Sequence, residues 1–197
     1  MERWLTYLER DSTVVEITHW EGLQIDLRYA DSLYCGQQRA FLQRDAASKL
    51  KTALAIIAQE HPGYRIVIWD AARPVFAQMA LWQQVRGTER VAFVSNPRKG
   101  SLHNFGMAMD VSAQTAQGKL VDMGSNFDEY SVLATARRRT EDSLVQVGQL
   151  TERQVKNRRI LRDILQRAGF IQLPDEWWHF NAGGSDAVRA SYRILDP

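Results

Sequence analysis

The sequence predicts a single-domain α+β fold. Some segments repeat apolar residues at helical spacing, others alternate at strand spacing, and the two kinds follow one another without a repeating β-α-β rhythm. Length and composition agree with this: 197 residues, 45% apolar and 24% charged, describe a globular chain able to bury a core. No internal repeat and no low-complexity linker divides the chain, so residues 1–197 are taken as one unit.

Val14, Val15 and Ile17, then Leu23, Ile25, Leu27 and Tyr29, mark an early β element over 14–29, whose second half alternates with polar residues. Phe41 to Gln59 reads as a helix, because Leu42, Ala46, Leu50, Ala53, Leu54 and Ile57 recur every three or four positions before His61-Pro62-Gly63 ends the pattern. Ile66 to Trp69 is a short β-branched and aromatic run, read as a buried strand. Pro74 opens a second helix that runs to Gly87, since the N–H that proline lacks has no partner in a first turn. Thr88 to Leu102 is a long loop, of the kind that carries function. Gly106 to Ser112 alternates again, with Met107, Met109 and Val111 on one side and Ala108, Asp110 and Ser112 on the other. Thr151 to Ala168 is a helix closed by Gly169, and Trp177 to Phe180 a final short strand.

Charge and cysteine content exclude several classes of function. The formal charge of +2 gives no basic footprint for nucleic acid and no drive toward a membrane surface. Cys35 is the one cysteine, which rules out an intrachain disulfide and cysteine-rich zinc sites. The first ten residues are too charged for a signal peptide, and no apolar run approaches a spanning helix. The expected location is cytoplasmic, or periplasmic if a leader has been removed.

Two constellations could carry chemistry. In Ser101-Leu102-His103-Asn104-Phe105-Gly106-Met107-Ala108-Met109-Asp110, a histidine at a loop end precedes an aspartate on the polar side of a strand. In Glu176-Trp177-Trp178-His179, an acid and a histidine are set among aromatic residues, where burial without partners would cost several kcal/mol. Separately these are a loop histidine, a strand aspartate and a satisfied core histidine. Together, His103, Asp110 and His179 make the nitrogen and oxygen donor set that leaves a catalytic zinc one open position, with Glu176 remaining as general base. Residues three apart in a regular strand face opposite ways, so the chain must be irregular at Trp177 or Trp178. Ser48-x-x-Lys51 imitates a serine-peptidase motif but falls within a helix pattern and lacks companion motifs. Arg137-Arg138-Arg139 reads as a solvated helix or loop, His19 as strand-packed, and His61 as a helix C-terminal residue.

These motifs resemble those of the VanX-like D-alanyl-D-alanine dipeptidases, zinc D,D-peptidases of family M15, subfamily D, which share a fold with the Hedgehog signalling domain. The likeness rests on Ser-x-His-x-x-Gly-x-Ala-x-Asp at 101–110 and Glu-x-Trp-His at 176–179. Asp26-Leu27-Arg28-Tyr29-Ala30, Asp70-Ala71-Ala72-Arg73-Pro74, Val121-Asp122-Met123-Gly124, Phe127-Asp128 and Asn157-Arg158-Arg159 support it, so that it covers about 25–180. It implies a central, mostly antiparallel sheet with flanking helices and one Zn2+ per chain, held by His103, Asp110 and His179. It further implies Glu176 as catalytic base, Arg73 as the cation beside the oxyanion, and Ser101 and Asp128 as contacts to the substrate's amino group. The expected substrate is a small D,D-dipeptide, cleaved either for recycling or in glycopeptide resistance. The family often has tyrosine before Arg-Pro, where this chain has Ala72. Three alternatives stand beside this one. They are a D,D-carboxypeptidase trimming peptidoglycan stems, a metal-stabilised binding module without catalysis, and an arginine-rich RNA binder, which the charge balance disfavours. For Arg73 the plainer alternative is a surface salt bridge with Asp70. Oligomeric state is not readable from the sequence.

Overall fold

A computed structural model describes residues 1–197. In chain order its elements are α1 (Glu2–Arg10), β1 (Val14–Glu16), β2 (Leu23–Ile25), α2 (Ala30–Leu33), β3 (Phe41–Gln43), α3 (Arg44–Glu60), β4 (Arg65–Asp70) and α4 (Val75–Val85). There follow β5 (Ala108–Gln114), α5 (Arg138–Gln146), α6 (Glu152–Arg167), β6 (Ile171–Gln172), β7 (His179–Asn181) and α7 (Ser185–Ser191), with short 3-10 turns between. The fold is α+β, as the mixed order of helical and strand patterns predicts.

The main sheet has five strands in the order β2-β4-β5-β7-β6. The β2–β4 pair is parallel and the others antiparallel, while β1 and β3 form a separate antiparallel pair. Ile66 and Ile68 of β4 and Met109 and Val111 of β5 share one core with Leu50, Ala53 and Ile57 of α3 and Leu161, Ile164 and Leu165 of α6. Strand alternation then turns Asp110 to the other face. A register shift between Ile68 and Asp70 sets Asp70 opposite Asp110, and Asp110 pairs in turn with His179. Register partners share a face, so three polar residues form a row across three neighbouring strands.

Several boundaries differ from expectation. The 14–29 element is two strands broken by a turn, and the helix expected from Phe41 begins at Arg44, because Phe41–Gln43 pairs with β1. Pro74 is the residue before α4 instead of its first helical residue. Trp177 and Trp178 lie in a turn, and the last strand is His179–Asn181, so the irregularity required there is a turn that ends before the histidine. His19 is exposed in a turn and not packed in a strand. No helix is long and apolar enough to cross a membrane.

Candidate active site

His103 occupies a 3-10 turn, Leu102–Phe105, whose placement is fixed by local hydrogen bonds. The Ser101 hydroxyl accepts from the His103 amide and the Asn104 side chain accepts from the Ser101 amide, a reciprocal cap. Asn104 also donates to the Arg73 carbonyl at 2.8 Å, and the Arg73 amide donates to the His103 carbonyl at 3.0 Å. The turn ends at Gly106 with φ of 65°, where a Cβ would come within 3.0 Å of the Gln43 backbone nitrogen. Glycine is required there both for the left-handed backbone and for the close approach to β3. The segments bearing His103 and Arg73 are thereby locked together.

The donor atoms of His103, Asp110 and His179 lie within 4.8 Å of one another, and all three residues are buried. His103 donates from Nδ1 to the Ala71 carbonyl at 2.8 Å, which turns the Nε2 lone pair toward the centre. Asn181 Oδ1 accepts from His179 Nε2 at 2.9 Å and so directs Nδ1 inward. His103 Nε2 is 3.2 Å from His179 Nδ1 and 3.4 Å from Asp110 Oδ2, and His179 Nδ1 is 2.9 Å from Asp110 Oδ1. Outer hydrogen bonds that fix the tautomer, with two lone pairs and a carboxylate converging inside, make a donor set suited to a divalent metal. Burial disfavours the charged Asp110 carboxylate, but His103 and His179 outweigh it and hold the carboxyl well below its usual range.

Around this centre stand three further groups. Glu176 places Oε2 3.9 Å from His179 Nδ1. Burial raises its carboxyl to about 7; Asp110 and Asp128 add to the rise, while His179 and Arg73 oppose it. Arg73 is buried, with Nη2 2.6 Å from Asp70 Oδ2 and 3.6 Å from Asp110 Oδ2, and it donates to Gln78 Oε1 at 2.8 Å. The salt bridge with Asp70 therefore exists, but inside the protein, where it holds the guanidinium 3.6 Å from the Asp110 carboxylate. Asp128 accepts from the Tyr29 hydroxyl at 2.6 Å, and burial lifts its carboxyl to about 6.

All seven residues singled out in the sequence, Arg73, Ser101, His103, Asp110, Asp128, Glu176 and His179, line one cavity of about 210 Å³. Residues 14–194 match the family model described as D-ala-D-ala dipeptidase. The chain belongs to the D-Ala-D-Ala dipeptidase family of M15 metallopeptidases. Similar proteins include the D-alanyl-D-alanine dipeptidase of Escherichia coli strain K12, 32% identical over 88% of this chain and 83% of that protein. The protein of the same description from Synechocystis sp. is 26% identical over 76% of this chain and 72% of its own length. The one from Enterococcus faecium is 30% identical over 60% of this chain and 62% of its own length. The solved LdcB LD-carboxypeptidase aligns over 91% of this chain and 72% of its own with a TM-score of 0.49 and 18% identity.

The dipeptidase-family motifs thus come together in space, and the unrelated signals fall elsewhere. Ser48 and Lys51 lie within α3, with Lys51 over the Trp20 ring. Arg137 pairs with Asp175 on the surface at the start of α5, and His61 caps the end of α3. A larger open groove of about 820 Å³, between α5 and α6, brings no metal-binding cluster together. Tyr29, Gln78, Asn181 and Arg189 line or support the site and were not singled out from the sequence. Of these, Tyr29 alone lay in a segment that carried a family signal.

Proposed function

We propose that this chain, as a single zinc D,D-peptidase unit over 1–197, hydrolyses D-alanyl-D-alanine to two molecules of D-alanine. The observation that supports it most is the inward convergence of His103, Asp110 and His179 beside the buried Glu176 carboxyl. The cavity of about 210 Å³ is smaller than the ~300–1,000 Å³ of sites for drug-sized ligands, which suits a dipeptide better than a peptidoglycan stem.

Held by those three residues, Zn2+ would supply a Lewis acid that acidifies water and polarises the scissile carbonyl. Glu176, beside His179 in the cavity wall, takes the proton of the attacking water and returns it to the leaving amine. Arg73, held by Asp70 through Nε and Nη2 and by Gln78 through Nη1, keeps its charge and offers its remaining N–H donors to the developing oxyanion. Asp128 and the Tyr29 hydroxyl bound to it receive the substrate ammonium, and Ser101, which lines the same cavity, is a further polar contact for it.

D-Alanine release tests this with D-Ala-D-Ala, L-Ala-L-Ala and a D-Ala-D-Ala-terminated pentapeptide, using native, chelator-stripped and Glu176→Gln protein. Cleavage of the D,D-dipeptide alone is expected, restored by zinc after stripping and lowered about 10²- to 10⁴-fold in Glu176→Gln. Preference for the pentapeptide would replace the proposal with a carboxypeptidase, and bound zinc without any cleavage would leave a metal-stabilised binding module.

A further inference from the structure

A D,D-dipeptide is a zwitterion, and the roles assigned so far account for its ammonium and its peptide bond but not for its terminal carboxylate. Two cationic side chains line the cavity, Arg73 and Arg189. Arg73 is paired with Asp70 at 2.6 Å, bonded to Gln78, and already committed to the oxyanion. Arg189, on α7, hydrogen-bonds only to neutral oxygens: Nε donates to Ser185 Oγ at 3.2 Å, Nη2 to the Gly100 carbonyl at 2.8 Å, and Nη1 to the Lys99 carbonyl. Its guanidinium carbon also rests 5.6 Å from the centre of the Phe105 ring.

These contacts have two consequences. The guanidinium is held in place before any ligand arrives, so little side-chain freedom remains to be lost on binding. Three of its five N–H groups are occupied by oxygens that carry no charge, leaving two donors and the whole positive charge free. A cation lining a partly buried cavity without an acid beside it is a receptor for an anion. The Gly100 carbonyl that holds it belongs to the residue before Ser101, so this cation borders the 3-10 turn that presents His103.

We infer that Arg189 receives the terminal carboxylate of the dipeptide and fixes its direction in the cavity, ammonium toward Asp128 and carboxylate toward α7. The inference rests on the dipeptidase reading above. It makes Arg189 a specificity determinant: a substrate whose C-terminus is neutral loses this contact, and one extended beyond the second residue has no carboxylate there.

The test compares D-Ala-D-Ala with its C-terminal amide, D-alanyl-D-alaninamide, on wild type, Arg189→Gln and Arg189→Lys, with thermal melting to verify folding. Wild type should prefer the acid. In Arg189→Gln, KM for the acid should rise about 10- to 100-fold with kcat little changed, while the amide is unaffected, so the preference collapses. Arg189→Lys should retain part of it, since the charge remains but the planar fork is lost. An acid-to-amide ratio that stays constant overturns the inference, and so does an equal loss on both substrates, the result expected if Arg189 only tethers Lys99 and Gly100. Calorimetric titration of the same two ligands, with Glu176→Gln as the parent protein, separates this from the hydrolytic proposal. Acid-selective binding removed by the added Arg189→Gln change supports the role of Arg189 even if wild type cleaves neither compound. Absence of acid-selective binding overturns it whatever the turnover.

Discussion

Asp128 is strained in two ways. Its φ of 55° puts a non-glycine residue in the left-handed region, which aspartate tolerates better than most, and its carboxyl is buried enough to rise to about 6. Both are costs to folding that a purely structural residue would not need. The sign follows from linkage. The folded-state value lies above the ~3.9 of an unfolded chain, so stability is greatest below the unfolded value and falls as pH rises through about 6. Asp128→Asn keeps the backbone conformation and the acceptor for Tyr29, and should therefore melt higher than wild type at pH 8 but equally at pH 4. Binding runs the other way, because only the carboxylate attracts an ammonium. KM for D-Ala-D-Ala should rise as pH drops below about 6, and Asp128→Asn should show a raised KM without that dependence. A wild-type KM that stays flat from pH 8 to 5 would remove Asp128 from the amino-group site.

At the scale of elements, the segment between β5 and α5 carries Asp128 but contains hardly any regular structure, and α6 holds it down. Arg158, buried at 1% exposure, donates to the carbonyls of Met123 at 2.6 Å, Leu133 at 2.8 Å and Thr135 at 3.1 Å, and to Ser125 Oγ at 3.3 Å. One side chain thus satisfies three carbonyls of this irregular segment, two of them in buried hydrogen bonds. Replacing it with lysine, which lacks the planar fork, should cost about 1.5–3 kcal/mol in urea denaturation and raise KM more than it lowers kcat. An unchanged midpoint and unchanged kinetics would show that the segment holds itself. The pattern of what the sequence revealed follows the same logic. The helices over 41–59 and 151–168 were legible because each lays a long apolar stripe on the core. The helices α1, α5 and α7 were not, because each buries only one or two residues beneath a mostly charged or small-residue face. The β3 strand was hidden inside a helical pattern, since Leu42 suits both periods and pairing with β1 decided between them.

Across the whole molecule, the donor set was readable because its residues stand in two short motifs, but the arrangement that joins them was not. The row Asp70, Asp110 and His179 depends on a register shift in β4 and on the order of three strands, neither of which leaves a mark in local sequence. Arg189 was invisible for a related reason: α7 reaches the cavity only through the packing of the chain's last turn of helix against the 99–105 segment. The same topology predicts how a metal acts on stability. The ligands proposed for it come from β5, from β7 and from a 3-10 turn pinned just past the end of β4, so one ion would tie together segments that span residues 103–179 of the chain. The unfolded chain, with His103 and His179 separated and no carboxylate held between them, has no comparable site, and binding therefore adds to folding free energy. At zinc 100-fold above its dissociation constant the gain is about 2.7 kcal/mol. For a chain of this size that corresponds to a rise of about 5–10 °C in Tm. The expected result is a Tm that falls on chelation, recovers with zinc in a concentration-dependent way, and shows no response to zinc in His179→Ala. A native Tm indifferent to zinc would mean that the three donors do not act as one site, and the hydrolytic proposal would lose its centre.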